Sequence, residues 1–129
     1  MYVTQYNENE VIHMDSMDEL INSLVVELRR GTLILSVLSQ LKQPQYGYSL
    51  VQSLEEKNTV IEAGTLYPLL RRLEKQELLT SQWDTTESRP RKFYVLSSQG
   101  ETVYERLKVE WELLSKQLKM LMSEDDEHE

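Results

Sequence analysis

The chain of 129 residues has no cysteine, which excludes a disulfide framework and a thiolate metal site or nucleophile. It has only four glycines, and their spacing does not match a loop that cradles phosphate. No apolar run is long enough to span a bilayer. Residues 1–15 contain acids but no Lys or Arg, unlike a signal peptide. These absences predict a single soluble, cytoplasmic domain without a membrane segment.

Histidine is also scarce, and this bears on catalysis. The two histidines, His13 and His128, lie near the ends of the chain and outside any metal-ligand spacing. No histidine in the body of the chain is available to activate a serine or threonine nucleophile. We therefore expect no enzymatic activity, no metal and no cofactor.

The charge is strongly acidic but unevenly distributed. The net charge of −8 alone argues against a nucleic-acid partner. However, residues 27–97 hold ten basic and eight acidic side chains and are net positive, whereas residues 1–26 and 98–129 are each net −5. Because phosphate contacts depend on local potential, an acidic protein can bind DNA through one cationic face. Only the middle of the chain can supply such a face.

Apolar residues at helical spacing predict three helices before residue 77. The first begins at a capping box, Ser16 to Glu19, and runs to Leu41. Gly31 interrupts it, which leaves open whether this region is one bent helix or two. The second helix is predicted at 46–57, and the third at 62–76 with Pro68 inside it.

The remaining chain predicts a hairpin and one long helix. Two β-rich stretches, Leu78–Trp83 and Lys92–Leu96, flank a loop of turn-forming residues. The predicted fold class is mainly α with a small β-hairpin: a winged helix-turn-helix plus a long C-terminal dimerisation helix. The predicted regions are a flexible N-terminal segment, a DNA-binding domain with its N-terminal helix, the dimerisation helix and an acidic disordered tail, at 1–15, 16–97, 98–122 and 123–129.

In a winged helix-turn-helix, the third helix enters the major groove and the hairpin, called the wing, touches the DNA backbone or minor groove. Six of the ten cations of the middle region fall on these two elements. The candidate DNA-binding residues are two hydroxyl-bearing residues and these six cations: Thr65, Tyr67, Arg71, Arg72, Lys75, Arg89, Arg91 and Lys92.

These residues would have different roles. Thr65 and Tyr67 would reach base edges or phosphates with their hydroxyls, and the paired arginines of the third helix would bind guanine or pin phosphates. Arg91 and Lys92 would hold the DNA backbone. The alternative is a solvated cationic helix face and a charged hairpin that only discourages strand pairing between copies.

Three motifs of this region carry a family resemblance. The segments are Tyr46–Leu50, Gly64–Lys75 and Arg89–Leu96, which read YGYSL, GTLYPLLRRLEK and RPRKFYVL. In this order they resemble the PadR family of bacterial transcription regulators. The resemblance extends from about Leu28 into the final helix and implies a homodimeric repressor that binds a palindromic operator through its third helix and wing. The chain length and single terminal helix resemble the smaller subgroup of the family.

Two positions depart from the family pattern. Members often have Ser at the cap of the third helix, where this chain has Glu62, and Gly in the wing, where it has Ser88. The altered wing, the N-terminal extension and the acidic net charge favour an alternative function. In that alternative the protein is a winged-helix adaptor that binds other proteins and little or no DNA.

The final helix contains a heptad seam. Its apolar residues are spaced alternately by three and four: Tyr104, Leu107, Trp111, Leu114, Leu118 and Leu121. Such a seam, about 27 Å long at 1.5 Å per residue, needs a partner surface. We expect Leu107 to Leu121 of the seam to form a dimer interface, and the N-terminal apolar face, which includes Leu20 and Leu24, to supply a partner surface within the chain or from a second copy.

Trp111 has two interpretations. Either it fills the dimer interface as a large apolar residue, or it forms an aromatic wall that stacks a planar, hydrophobic effector. Some regulators of the PadR family have a tryptophan at the matching place and use it to bind planar compounds. The resemblance thus implies a candidate ligand site at Trp111, Tyr104 and Leu107.

Overall fold

The computed structural model describes residues 15–127, with side chains described for 15–123. It contains five helices and three strands in this range: α1 Ser16–Arg30, α2 Leu33–Ser39, β1 Gln45–Tyr46, α3 Gly47–Glu56, α4 Ala63–Lys75, β2 Leu79–Asp84, β3 Arg91–Leu96 and α5 Ser98–Glu127. The predicted fold class is confirmed, because the molecule is mainly helical with a small antiparallel sheet and a long last helix. None of the described helices is long and apolar enough to cross a membrane.

The first helical region consists of two helices, which settles the question left open at Gly31. α1 ends at Arg30, and the backbone N–H of its cap residue Gly31 donates to the carbonyl of Arg29. The start of α1 differs from the predicted capping box, since Asp15 rather than Ser16 is the cap. The Asp15 carboxylate accepts a hydrogen bond of 2.8 Å from the backbone N–H of Asp18. An acceptor one residue earlier satisfies the same helix end, and Ser16 becomes the first helical residue.

α1 belongs to a separate compact unit that ends at Leu33, and none of the residues of α1 is buried. Its apolar face is therefore exposed, including Leu20 and Leu24. Residues 1–14 lie outside the described range, so the predicted flexible N-terminal segment falls almost entirely outside it.

The second unit, from residue 34 onward, contains the winged-helix module, defined here as α2, α3, α4 and the sheet. Its core is built from leucines of the three helices and the sheet, several of them fully buried: Leu38, Leu41, Leu50, Leu66, Leu70 and Leu73. The helices are amphipathic as predicted, and burial of these side chains provides the main stabilisation of the module.

α3 and α4 are each followed by a left-handed residue that is not glycine. Asn58 after α3 and Glu77 after α4 adopt left-handed backbone conformations, with φ of 61° and 64°. In each case the following N–H turns back to a carbonyl near the helix end, as when Leu78 donates to Leu73 over 3.0 Å. This arrangement satisfies terminal carbonyls of both helices.

The sheet has one strand more than the predicted hairpin. β3 lies between β1 and β2 and pairs antiparallel with both. β2 and β3 form the wing, with Leu79 opposite Leu96 at the base and Asp84 opposite Arg91 at the outer end. Residues 85–90 form the wing loop.

The long helix α5 is anchored at its start. The Ser97 hydroxyl accepts a hydrogen bond of 2.9 Å from the N–H of Gly100 and donates one of 2.6 Å to the carbonyl of Glu77. A Cβ at Gly100 would lie 2.0 Å from the Leu78 carbonyl oxygen, so only glycine allows this close approach.

α5 is also longer than predicted. It ends at Glu127 rather than at 122, so residues 123–127, which we expected to be disordered, are helical. Extending an existing helix requires no new nucleus. Residues 128–129, the end of the predicted tail, lie outside the described range.

Candidate nucleic-acid interface

α4 presents its cations to solvent. Its apolar residues face the core, and Arg71, Arg72 and Lys75 are all exposed. None of the three forms a salt bridge with another residue of the described range. A cation without an acidic partner keeps its attraction for a phosphate group. These three side chains are therefore available to a nucleic acid.

The two hydroxyl-bearing candidates near the start of α4 have different surroundings. Thr65 is exposed, but Tyr67 is half-buried and its ring lies against Gly47 at the start of α3. A Cβ at Gly47 would lie only 2.4–2.8 Å from two ring carbons and the hydroxyl oxygen of Tyr67. Tyr67 thus packs α4 against α3, with its hydroxyl beside Gly47. The cap residue Glu62 makes no side-chain hydrogen bond to the helix end.

The three wing cations have unequal surroundings. Arg89, in the wing loop, is exposed and has no salt-bridge partner among the described residues. Arg91 and Lys92, at the start of β3, are both only partly exposed and paired with acids. Of the three wing cations, only Arg89 is, like the cations of α4, exposed and without a salt-bridge partner in the described range.

Lys92 connects the wing to α4. Its ammonium group lies 3.2 Å from a carboxylate oxygen of Glu74, and the other Glu74 oxygen accepts a hydrogen bond from the Ser81 hydroxyl. These hydrogen bonds, from Ser81 first and then from Lys92, hold the pKa of Glu74 below its usual value against the opposing effect of burial. The same ammonium group lies 5.3 Å from the ring centroid of Tyr94. Lys92 is thus engaged within the fold, and its expected contact with DNA would compete with these interactions.

Arg91 is engaged on the other face of the sheet. Its guanidinium lies 4.2 Å from the ring centroid of Tyr46, donates to the Tyr48 hydroxyl over 3.1 Å and pairs with Glu87 over 3.3 Å. The expected contact of Arg91 with the DNA backbone would compete with these interactions.

Tyr46 also binds the outer end of β2. Its hydroxyl donates a hydrogen bond to Asp84, and the other carboxylate oxygen of Asp84 accepts from the N–H and hydroxyl of Thr86. These hydrogen bonds lower the pKa of Asp84 to about 2, and the bond to Asp84 raises the pKa of Tyr46.

Sequence reasoning identified the cations but missed their partners within the chain. Glu74, Tyr46, Tyr48 and Asp84 were not singled out as site residues. The tyrosines were visible in the YGY segment, and two aromatic residues flanking a glycine before a helix were the available signal. Their pairing with residues 38 and 43 positions away follows only from the antiparallel contact of β1 with β3.

The expected interface residues of α5 lie on an exposed stripe. Leu107 is half-buried, and the seam residues beyond it are largely exposed: Trp111, Leu114, Leu118 and Leu121. Tyr104 is half-buried beneath two ammonium groups, those of Lys42 and Lys108, at 5.6 and 5.2 Å from its ring centroid. The three residues of the candidate ligand site therefore follow one another along the same face of the helix.

Comparison with known proteins identifies the family. The family model described as the transcriptional regulator PadR-like family matches residues 34–106. A PadR family transcriptional regulator from Eggerthella lenta is 48% identical, covering 83% of this chain and 96% of its own, with a TM-score of 0.80. A PadR-like transcription factor from Bacteroides fragilis is 33% identical, covering 77% and 98%, with a TM-score of 0.65.

A transcriptional regulator from Clostridium thermocellum is 30% identical, covering 72% of this chain and 95% of its own, with a TM-score of 0.68. The matched region, residues 34–106, contains the three motifs, the cationic helix and the wing. The chain therefore belongs to the PadR-like family of transcriptional regulators, and its membership implies regulation through DNA binding.

Proposed function

We propose that the protein is a homodimeric transcriptional repressor that binds a pseudo-palindromic operator and is released by a small planar effector. In this proposal it occupies the operator and thereby excludes the transcription machinery. A regulator of this kind acts where the chromosome is, so we propose a cytoplasmic location. The first candidate for the regulated gene is the protein's own, with the operator in its promoter.

One observation carries the DNA-binding part of the proposal. Four exposed cations without acidic partners in the described range lie on the two elements that a winged helix presents to DNA: Arg71, Arg72, Lys75 and Arg89. In our proposal the α4 cations enter the major groove together with Thr65 and Tyr67, and Arg89 contacts the backbone beside it. Arg91 and Lys92 contribute less direct contact, because their charges are already paired.

The exposed seam of α5 supports the dimer. A stripe of large apolar residues, with Trp111 50% and Leu114 53% exposed, is unfavourable in water and marks a protein interface. Pairing two such stripes buries them in a coiled-coil-like seam. A dimer also provides two recognition helices for two half-sites about one helical turn apart. The exposed apolar face of α1, with Leu20 and Leu24, is a second surface that we propose is covered in the dimer.

The effector part rests on Trp111. A half-exposed indole on the seam, with Leu107 and Tyr104 preceding it on the same face, provides the flat apolar surface that a planar compound requires. Titration of the Trp83→Phe variant with planar cationic compounds isolates the fluorescence of Trp111. Quenching supports the effector site, whereas no quenching contradicts it for this class of compound.

The DNA-binding proposal is tested by gel shift with DNA from upstream of the gene, at two salt concentrations. We expect sequence-dependent retardation that weakens at higher salt. Neutralising Arg71 and Arg72 to alanine removes up to two phosphate contacts, which would lower the salt slope by about one per contact. A bidentate contact with guanine would add a loss of about 1–3 kcal/mol on the specific sequence only.

The matched control is Lys116→Ala, which removes one cation from α5 at a position outside the seam. Lys116 is exposed, and we expect its replacement to leave DNA affinity nearly unchanged. Binding unaffected by loss of both arginines would exclude α4 as the recognition helix. Absence of any shift at low salt would instead favour the winged-helix adaptor, whose exposed apolar surfaces would bind another protein.

A further inference from the structure

The outer end of the wing is contacted by side chains of the segment that leads into α3. Tyr46 ends β1 and Tyr48 lies in the first turn of α3, while Asp84 ends β2 and Arg91 begins β3. Asp84 and Arg91 face each other across the hairpin as its last pair before the wing loop. Both ends of the loop are thus contacted by the two tyrosines.

These contacts form one connected network. The Tyr46 hydroxyl binds Asp84, and the guanidinium of Arg91 covers the Tyr46 ring and reaches the Tyr48 hydroxyl. The two tyrosine rings stack with centroids 6.1 Å apart and planes 8° apart, and Phe93 meets the Tyr46 ring edge-on at 5.9 Å. Each polar side chain of the network is therefore bound by at least two partners, which restricts its rotamers.

The charges of this network largely cancel. Asp84 offsets Arg91, and the exposed Glu87 adds a second negative charge beside the same guanidinium. A guanidinium already stacked, hydrogen-bonded and ion-paired must break these interactions before it can reach a phosphate. Arg89, five residues beyond Asp84 in the loop, has no such partners in the described range. Direct attraction of DNA by the wing therefore falls to Arg89.

We propose that Tyr46, Tyr48, Asp84 and Arg91, named here the wing clamp, are positioning residues that fix the wing loop relative to α3 and present Arg89 to DNA. This inference rests on the proposed DNA-binding function. It assigns Arg91 to the support of the wing rather than to the DNA backbone. It also gives a role to β1, a strand of two residues, because β1 carries the aromatic ring on which the clamp is built.

Two substitutions distinguish support of the wing by the clamp from a purely electrostatic effect of the same residues on DNA binding. Tyr46→Phe removes the hydroxyl that binds Asp84 without changing any charge. Asp84→Asn removes a negative charge, which alone would strengthen DNA binding. The asparagine oxygen is needed by the Thr86 N–H, so its NH2 group faces Tyr46, and only a weaker, neutral hydrogen bond to the Tyr46 hydroxyl can replace the charge-assisted one. The clamp is thereby weakened. We expect both variants to bind operator DNA about two- to tenfold more weakly, the range for loss of one net hydrogen bond.

Glu87→Gln is the matched control, since it removes one negative charge from the same wing without touching the Tyr46–Asp84 hydrogen bond. Its ion pair with Arg91 is solvent-exposed and contributes little. We expect its DNA affinity to be equal to or higher than that of the unaltered protein. The double variant Tyr46→Phe, Asp84→Asn should bind no more weakly than the weaker single variant, because both remove the same contact.

Hydrogen exchange measures the support of the wing without DNA. In Tyr46→Phe and Asp84→Asn, the amides at 82–93 should exchange severalfold faster than in the unaltered protein, while those of α4 stay protected. Suppose that the unaltered protein binds DNA and that both variants bind it as tightly as the unaltered protein or more tightly. The positioning role of the wing clamp is then overturned, and the proposed function stands.

If the unaltered protein binds no DNA, the proposed function fails and the presentation of Arg89 fails with it. Unchanged exchange at 82–93 would then overturn the support of the wing as well, whereas faster exchange would sustain it.

Discussion

The winged-helix module and the helix α5 differ in how far their apolar residues are buried. Most leucines of the module are buried within one chain, whereas those of α5 beyond Leu107 are exposed. The module also satisfies its polar groups internally, and no buried side-chain nitrogen or oxygen of the described residues lacks a partner. α5 is instead a regular helix whose apolar stripe is exposed among the described residues.

This difference separates two physical roles. A module that completes its own core holds its cationic surface in a fixed shape, which recognition of a duplex requires. A helix with an uncovered seam gains free energy only by pairing with another surface. The contrast supports our proposal that the module recognises DNA and that α5 mediates assembly, and substitutions in each should affect different measurements.

The largest effect is expected at the junction of the two regions. Gly100→Ala would bring a methyl group within 2.0 Å of the Leu78 backbone carbonyl, which cannot move aside cheaply. We expect the free energy of unfolding, measured by urea titration, to fall by about 3 kcal/mol or more.

The matched control for this glycine is Gly64→Ala in the first turn of α4, where a Cβ would meet nothing within 4 Å. We expect equal or higher stability, by up to about 1 kcal/mol, because alanine is the better helix former. Equal losses at the two glycines would contradict the close approach of α5 to the sheet.

A smaller effect is expected from a charge placed in the seam. Leu114→Glu would put a carboxylate at the centre of the proposed interface, which should weaken dimerisation by about 2–3 kcal/mol. Sedimentation should then show a monomer at concentrations where the unaltered protein is dimeric. The circular dichroism of the module should persist, and operator affinity should fall with the loss of the second half-site.

Glu112→Gln on the same helix changes an exposed residue outside the heptad seam and should leave the dimer intact. A dimer that survives Leu114→Glu would show that α5 does not provide the interface.

The smallest effect is expected on acidification, and it concerns the module. The pKa of Asp84 is lowered to about 2 by its hydrogen bonds, from an ordinary value of 3.8. Its folded pKa is below its unfolded one, so its contribution to stability is present above pH 3.8 and lost as the pH falls to about 2. The difference in Tm between the unaltered protein and Asp84→Asn should be constant at about pH 5–7 and narrow between about pH 4 and 2. A difference that widens on acidification would contradict the Tyr46–Asp84 hydrogen bond.

The sequence predicted most of the module because its helices follow simple periodicity. Leucines spaced by three and four located α3 and α4 within one or two residues, and the turn-forming loop located the wing. β1 was missed because a strand of two residues has no period to detect. Asp15 was missed as a cap because Ser16 offered an equally good pattern one position later.

The candidate site was predicted less completely than the fold. Spacing correctly placed Arg71, Arg72 and Lys75 on the polar side of α4, because the positions that share one face of a helix follow from the local sequence alone. The surroundings of Arg91 and Lys92 depend on Tyr48 and Glu74, which are 43 and 18 positions distant. Only tertiary contacts reveal that these two cations are already paired.

The most direct test is the stoichiometry of the protein on DNA from upstream of its gene, measured by sedimentation at low salt. We expect two chains per duplex, in a complex that dissociates as salt is added and that fails to form when Arg71 and Arg72 are both alanine. A single chain per duplex, or a complex indifferent to both arginines, would contradict a dimer that reads DNA through α4.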